Sequence, residues 1–421
     1  MRRIAIVGAG QAGLQLALGL QAAGGYEVTV VAARTPEQIR GGRVLSTQLM
    51  YGPALILERR LGLNLWDGQA PPIEGIQLNP TDPPGTRSPG RSVTARLESP
   101  AQSVDQRVKT ARWLELFAER GGRVEYRQPA AEDLAALAAA HELTVLATGH
   151  GPLAEVFGRD ERHSPHAHPQ RVLACLYLHG VRPDAGLPPS FLRMYAFPGT
   201  GEFFVLPALT GSGPCRILLW EGNPGGPFDC WGNVSGPGEA LERSLHLLRT
   251  YAPWEYELCA GAEPTDAGAL LTGSLTPVVR HPVAEVAPGS HVLGMADAVV
   301  LNDPLTGQGS NNAARCADRY LQSVLERGER PFDRAWMHET FAAWWEHARH
   351  TTAFTNMLLD APLPPHVRQI IEAAAMHPAL AHRYVNGFAD PAEFQEWLMD
   401  ADRAEACLAA VEGGGTPQPL G

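Results

Sequence analysis

The chain has 421 residues, 44% of them hydrophobic and 19% charged, with 44 glycines and 36 prolines. That is length enough for two or three packed units and a large core that needs no disulfide staples. The 34 basic and 45 acidic residues leave a formal charge of −11, which argues against a general binder of nucleic-acid backbones. No apolar run approaches the roughly 20 residues of a membrane helix, so a cytoplasmic, loop-rich globular protein with no membrane and no nucleic-acid partner is expected. The only lysine is Lys109. The cysteines Cys175, Cys215, Cys230, Cys259, Cys316 and Cys407 form no C-x-x-C pair and read as free, mostly buried thiols. His163, His166 and His168 lie in a Pro-rich stretch without evident acidic or Cys partners and read as a loop cluster, with no metal site expected.

The opening MRRIAIVGAGQAG is too short in its apolar part, Ile4–Val7, for a signal peptide and reads as a strand buried on both faces. Gly8-Ala9-Gly10-Gln11-Ala12-Gly13 follows, then a helix that stops at Gly24-Gly25, then a strand over Glu27–Ala32. This is a whole βαβ unit with G-x-G-x-x-G at its first turn. Asp105–Arg120 and Ala131–Ala140 read as helices; Arg123–Tyr126 and Thr144–Ala147 read as strands. Residues 66–100 are rich in Pro, Gly and Thr, and runs such as Phe203–Leu206 and Arg216–Trp220 suggest antiparallel strands. A helix over Glu239–Tyr251 closes that section. Beyond residue 330 the pattern is helical, clearest in FDRAWMHETFAAWWEHARH and HVRQIIEAAAMHPALAHRY, before a disordered tail at 412–421.

The glycines of the first turn have separate tasks. Gly8 allows the tight turn, Gly10 lets the backbone approach a pyrophosphate, and Gly13 permits close helix–strand packing. The helix that follows presents free N–H groups and a positive dipole end to phosphates. The second strand ends in Ala32-Ala33-Arg34, without the carboxylate that commonly holds ribose hydroxyls. Arg34 or Arg43 could hold the adenosine end instead. Residues 293–312, LGMADAVVLNDPLTGQGSNN, place Asp297 after a strand, where it could accept from a ribityl hydroxyl. Asp303–Gly309 then leads to a helix N-terminus suited to the electron-rich edge of a reduced flavin.

IAIVGAGQAGL, Gly42-Arg43-Val44-Leu45, Val104-Asp105-Gln106-Arg107, Glu119-Arg120-Gly121-Gly122, Ala147-Thr148-Gly149, DPLTGQGSN and the Leu363-Pro364-Pro365 step occur in one order along nearly the full chain. In these the sequence resembles the oxygenase component of the two-component styrene and indole monooxygenases. The resemblance implies an α/β fold: a Rossmann-like FAD-binding domain (1–65, 101–170 and 272–330), interrupted by an antiparallel β-sheet substrate domain (66–100 and 171–271). A C-terminal helical region (331–411) follows. It implies a cofactor set of Gly8, Gly10, Gln11, Ala12, Gly13, Arg34, Arg43, Arg107, Thr148, Gly149, Asp297, Pro304, Gly307, Gly309, Ser310 and Asn311. The substrate pocket would comprise Leu45, Ser46, Pro304, Leu305 and Thr306, with Leu206 and Trp220 as weaker candidates better explained by core packing. Two positions depart from the family pattern: Ala296-Asp297 replaces a Gly-Asp pair, and Ser46 replaces an Asn.

The implied activity is an FAD-dependent epoxidation of a small apolar aromatic such as styrene or indole by O2, through a flavin C4a-(hydro)peroxide and with no catalytic acid or base. The reduced FAD would come from a transient NAD(P)H-dependent reductase, because Ala147-Thr148-Gly149-His150-Gly151 lacks the D-G motif of single-component hydroxylases and no second G-x-G-x-x-G exists. A homodimer is an admissible assembly. A self-sufficient NADPH hydroxylase and a non-catalytic reduced-flavin-binding protein are the alternatives. A halogenase is disfavoured by the absence of a W-x-W-x-I-P run.

Overall fold

The computed structural model describes residues 1–81, 86 and 91–412, so the expected tail lies, apart from Glu412, outside the described residues. The chain opens with β1 (Arg2–Val7), α1 (Gln11–Ala23) and β2 (Tyr26–Ala32), and Ile4, Ala5, Ile6 and Val7 are wholly buried. It continues through α2 (Pro36–Arg40), β3 (Leu49–Met50), α3 (Gly52–Arg60), β4 (Ile73–Pro80) and β5 (Val93–Ser103). Next come α4 (Gln106–Glu119), β6 (Arg123–Tyr126), α5 (Ala131–Ala140) and β7 (Leu143–Leu146). A run of strands follows: β8 (Val172–His179), β9 (Phe191–Phe197), β10 (Gly201–Thr210) and β11 (Gly213–Gly222). Then α6 (Pro237–Tyr251), α7 (Pro253–Cys259), β12 (Glu263–Pro264), β13 (Leu270–Ser274) and β14 (Val278–Val279) lead to β15 (Val283–Ala287), β16 (Ser290–Gly294) and β17 (Val300–Leu301). The rest is helical: α8 (Gly309–Arg327), α9 (Arg334–Leu359), α10 (Pro365–Ala374), α11 (Pro378–Gly387) and α12 (Ala401–Glu412).

Among the described residues the strands form one sheet of six, one of nine and a pair. The six-stranded sheet has the order β15-β16-β7-β1-β2-β6, parallel except for the β15–β16 hairpin. The chain leaves β1 towards β2 on one side and later returns to β7 on the other. That reversal opens a crevice at the carboxyl ends of β1 and β7, where α/β sheets bind ligands.

The nine-stranded sheet runs β12-β8-β11-β10-β9-β4-β5-β3, with β13 also on β8. Its alternation is read by two cores. Cys175, Tyr177, Phe204, Leu206, Ile217 and Leu219 face inward with Leu305 and the C-terminal helices. Leu176, Phe203, Leu218 and Trp220 face outward with Phe228 and Trp231. Trp220 therefore belongs to the outer core, packed at a tilt on Phe203 and donating to Ser244 Oγ at 3.0 Å, away from the candidate pocket.

The helical tail differs from its sequence reading at one point: HVRQIIEAAAMHPALAHRY is two helices, because Pro378 cannot donate and starts a new one. His163 has an acidic partner after all, Asp160 at 2.8 Å, and no group of three or more potential metal ligands occurs among the described residues. None of the described helices is long and apolar enough to cross a membrane.

Candidate active site

Two helix N-termini meet at the crevice. At the first, Gly8 has φ +122, and a Cβ there would lie 2.3 Å from the Ala147 carbonyl oxygen after β7. Only glycine lets the two strand ends approach so closely. A Cβ on Gly13 would meet the Gly8 carbonyl at 2.3 Å, whereas beyond Gly10 there is open space. No side chain caps α1, and Leu14 N–H is the donor that reaches back to Gly10 O at 3.0 Å. The N–H groups of Gln11, Ala12 and Gly13 precede that bond and have no intrahelical acceptor. This is an uncapped, glycine-lined turn with the polarity a pyrophosphate needs.

The second N-terminus is that of α8, which also lacks a side-chain cap. Asn312 N–H bonds back to Gln308 O, leaving the donors of Gly309, Ser310 and Asn311 without helical partners. Gly307, left-handed at φ +66, turns the chain into this helix. The side chain of Asn312 is 2% exposed, and both its amide atoms lack partners. Thr148 Oγ1, in the turn after β7, is likewise buried and unpaired.

Glutamines fix one N-terminus against the other. Gln11 Nε2 donates to Ser310 O at 3.0 Å, and Gln15 Nε2 donates to Ala314 O one turn later at 3.2 Å. Gln106 Nε2 donates to Gln11 Oε1 at 2.8 Å and reaches Ser310 Oγ at 3.5 Å. Beneath them lies the buried pair Lys109–Glu58, 2.8 Å apart, with Lys109 also 3.1 Å from Met50 Sδ. Asn311 completes the fastening: its Oδ1 accepts from Tyr51 N–H, and its Nδ2 donates to Leu49 O and Gly307 O. The side chains of Gln11 and Asn311 are thus engaged by protein, leaving their backbone N–H groups for a ligand.

At the flanks, Arg34 and Arg43 are exposed and have no ion-pair or hydrogen-bond partner among the described residues. Arg107 is engaged throughout: it bonds Asp105, Asp266, Thr210 Oγ1 and the Gly42 carbonyl. It thereby fixes the Gly42 carbonyl, next to Arg43. Gly149, at φ +69, turns the chain away from β7.

Asp297 follows β16 in a short 3-10 turn that Ala296 enters at φ +50, where the family pattern has glycine. Its side chain is half-buried, its carboxyl has no partner among the described residues, and loss of solvation pushes its pKa up to about 7. The buried orphan atoms, the two uncapped helices and the open space at Gly10 together fit FAD.

The residues expected to line a substrate pocket fall in two segments, 44–48 and 304–306. Gln48 is held at φ +36; its N–H donates to Ser46 Oγ, while the Ser46 hydroxyl donates to Gln48 Oε1, each at 3.2 Å. Gln48 Nε2 bonds Ser103 Oγ and Tyr177 Oη, and the Tyr177 hydroxyl donates to Ser46 O at 2.7 Å. The Ser46 hydroxyl is therefore spent on a turn. Leu305 joins Val44, Tyr177 and Leu206 in one buried apolar cluster, and Leu45 is 38% exposed beside it. Pro304 is half-buried at the loop's first turn. Thr306 turns away, sharing a 2.7 Å hydrogen bond with Thr355 on α9. Sequence reasoning missed Gln48 and Tyr177, whereas Asn312 lay in the run at the α8 N-terminus, Gln11 in G-x-G-x-x-G and Gln106 in Val104-Asp105-Gln106-Arg107.

Residues 149–257 match the family model described as "Styrene monooxygenase A putative substrate binding domain". The chain is 27% identical over 398 residues to styrene monooxygenase StyA of Pseudomonas fluorescens, covering 93% of each, and equally so to StyA of a Pseudomonas species. In fold it is similar to a variant of flavin-dependent brominase Bmp2 (TM-score 0.67, 14% identity, 97% and 99% of the two chains). It is also similar to a variant of halogenase PltM solved in complex with FAD (0.65, 13%, 97% and 86%). A third neighbour is p-nitrophenol 4-monooxygenase PnpA of Pseudomonas putida DLL-E4 (0.63, 12%, 93% and 99%). The α/β architecture is thus that of flavin-dependent monooxygenases and halogenases, and the sequence is styrene monooxygenase-like over 93% of the chain.

Proposed function

We propose that this styrene monooxygenase-like flavoprotein monooxygenase takes reduced FAD from a separate NAD(P)H-dependent flavin reductase. With O2 it epoxidises a small apolar aromatic such as styrene or indole. The observation that carries the reading is the pair of uncapped helix N-termini, α1 and α8, locked to one another across the crevice by Gln11, Gln15 and Gln106. FAD, when bound, supplies the oxygen-activating chemistry.

The chain's own residues bind, orient and exclude water. The first-turn N–H groups of α1, with Gly8, Gly10 and Gly13, hold the pyrophosphate. Arg34 and Arg43 attend the adenosine end in place of the missing carboxylate. Asp297 accepts from a ribityl hydroxyl. The N–H groups of Gly309 and Ser310 would donate to the bound flavin and favour its more negative reduced form. Thr148 and Gly149 border the pyrophosphate, and Pro304 and Gly307 the ring. Leu45, Ser46 and Leu305 border a chamber that carries no catalytic acid or base, and its apolar walls admit an uncharged aromatic and keep water out.

The test is product analysis with a generic flavin reductase, FAD, NADH and a panel of styrenes, indoles and thioethers. Styrene oxide, with blue pigment from indole, is the expected outcome. Hydrogen peroxide without any oxygenated product would leave a flavin-binding protein without turnover.

A further inference from the structure

The inner face of the nine-stranded sheet is apolar along β10 and β11 until its last step. There Glu202 and Glu221 are cross-strand partners, in line with Phe204 and Leu206 on one strand and Ile217 and Leu219 on the other. Glu202 is satisfied: Arg171, just before β8, grips it with bonds of 2.7 and 2.9 Å. Glu221 is not. It is 0% exposed, and neither carboxyl oxygen has a partner. Within electrostatic reach of it is Asp303, 2% exposed, whose Oδ1 accepts from Leu305 N–H at 3.1 Å and whose Oδ2 has no partner.

The charges that act on this group are those of Asp303, Glu202 and Arg171, with Asp303 the strongest on Glu221. Arg171 is already matched by Glu202, so a second and third carboxylate would stand uncompensated in an apolar wall. Two such groups cannot both ionise at ordinary cost. The three orphan oxygens, Glu221 Oε1 and Oε2 and Asp303 Oδ2, are buried acceptors of the kind a buried water satisfies.

We propose that Glu221 and Asp303 hold one proton between them through a buried water, as a positioning pair that ties the Asp303–Gly309 loop to the inner face of the sheet. Burial drives both groups towards the neutral form, Asp303 to about 6 and Glu221 well above the ordinary carboxylate range. Near neutral pH Asp303 is ionised and Glu221 carries the proton. As pH rises further the proton leaves to solvent, the two carboxylates repel, and the loop loosens. Both acids are raised in the folded state, so their contribution to stability is present in acid and lost as pH rises. The proton and the tie belong to the protein alone; only the consequence for FAD rests on the proposed flavin site.

Infrared difference spectroscopy of the flavin-free protein at about pH 8 reads the proton directly. A protonated-carboxyl carbonyl band that shifts in D2O is expected, lost in Glu221→Gln and retained in Asp297→Asn. The thermal midpoint of the wild type should fall as pH rises from about 6 to about 9; Glu221→Gln should remove that fall and Asp303→Asn should lessen it, since burial acts on Glu221 more strongly than the Asp303 charge does. If the glutamine variant does not fold, the wild-type band and the asparagine variant decide alone. Absence of the band, or an unchanged decline in the variants, overturns the pair. A band and a decline that behave as expected, with reduced-FAD affinity flat over the same range, keep the pair and refute its link to flavin.

Discussion

At the scale of single residues, Ala296 and Asp297 carry the sharpest consequences. An L residue at φ +50 costs about 1–2 kcal/mol, and glycine avoids this at an entropic cost of about 0.5–1 kcal/mol. Ala296→Gly is therefore expected to raise stability by up to about 1 kcal/mol, read as a higher urea midpoint. A lower midpoint would mean that the turn gains something from the methyl. Asp297 predicts a pH dependence. Its pKa of about 7 belongs to the free protein, and a hydroxyl donating to the carboxylate favours the ionised form and lowers that value. FAD should thus bind more tightly as pH rises towards 7, by about tenfold for each unit the pKa falls on binding, and then level off. Fluorescence titration should show this limb in the wild type and none in Asp297→Asn. Together with the Glu221–Asp303 pair, which weakens binding at higher pH, the wild-type profile is a bell. An affinity flat below pH 7 would remove Asp297 from the ribityl chain.

At the scale of elements, the α1–α8 junction rests on a buried ion pair, Lys109 at 2% exposure and Glu58 at 0%. Lys109→Met leaves the Glu58 carboxylate without its partner and should cost about 3–5 kcal/mol, whereas the uncharged double variant Lys109→Met, Glu58→Met should recover most of it. Urea unfolding of the three proteins checks this, and equal losses in single and double variants would show that packing, not charge, holds the junction. This element was hidden in the sequence because Met50, Glu58 and Lys109 are far apart in the chain and lie in no motif, and nothing local links them to Gln11 in G-x-G-x-x-G or to Gln106 in Val104-Asp105-Gln106-Arg107. By contrast the β1–α1–β2 unit was plain, since its apolar run, glycines and helix period are local. Arg123–Tyr126 and Ala131–Ala140 fall where the periodicity puts them. Ser46 shows the limit of reading by type: its hydroxyl was legible as a polar group near a chamber, but its engagement by Gln48 depends on a strained turn that Ser103 and Tyr177 hold from other strands.

At the scale of the molecule, the six-stranded sheet offers a dinucleotide one cradle, at α1, and the chain has no second G-x-G-x-x-G for a nicotinamide cofactor. The purified protein alone should therefore leave NADH and NADPH unoxidised in a spectrophotometric assay, and rapid oxidation would make it a self-sufficient hydroxylase. The overall architecture was legible because the Rossmann-like opening, the strand-rich middle and the helical end each have their own periodicity. Which face of the middle sheet meets the flavin loop was not, since alternation gives two faces and only packing chooses between them; Leu206 and Trp220 fall on opposite sides for that reason. The claim that the chain uses flavin reduced elsewhere is tested most directly in a single turnover without any reductase. FAD is photoreduced anaerobically with the protein, and aerated buffer containing styrene is then mixed in. The account predicts styrene oxide, up to one for each FAD; oxidised FAD and hydrogen peroxide alone, as in a protein-free control, would contradict it.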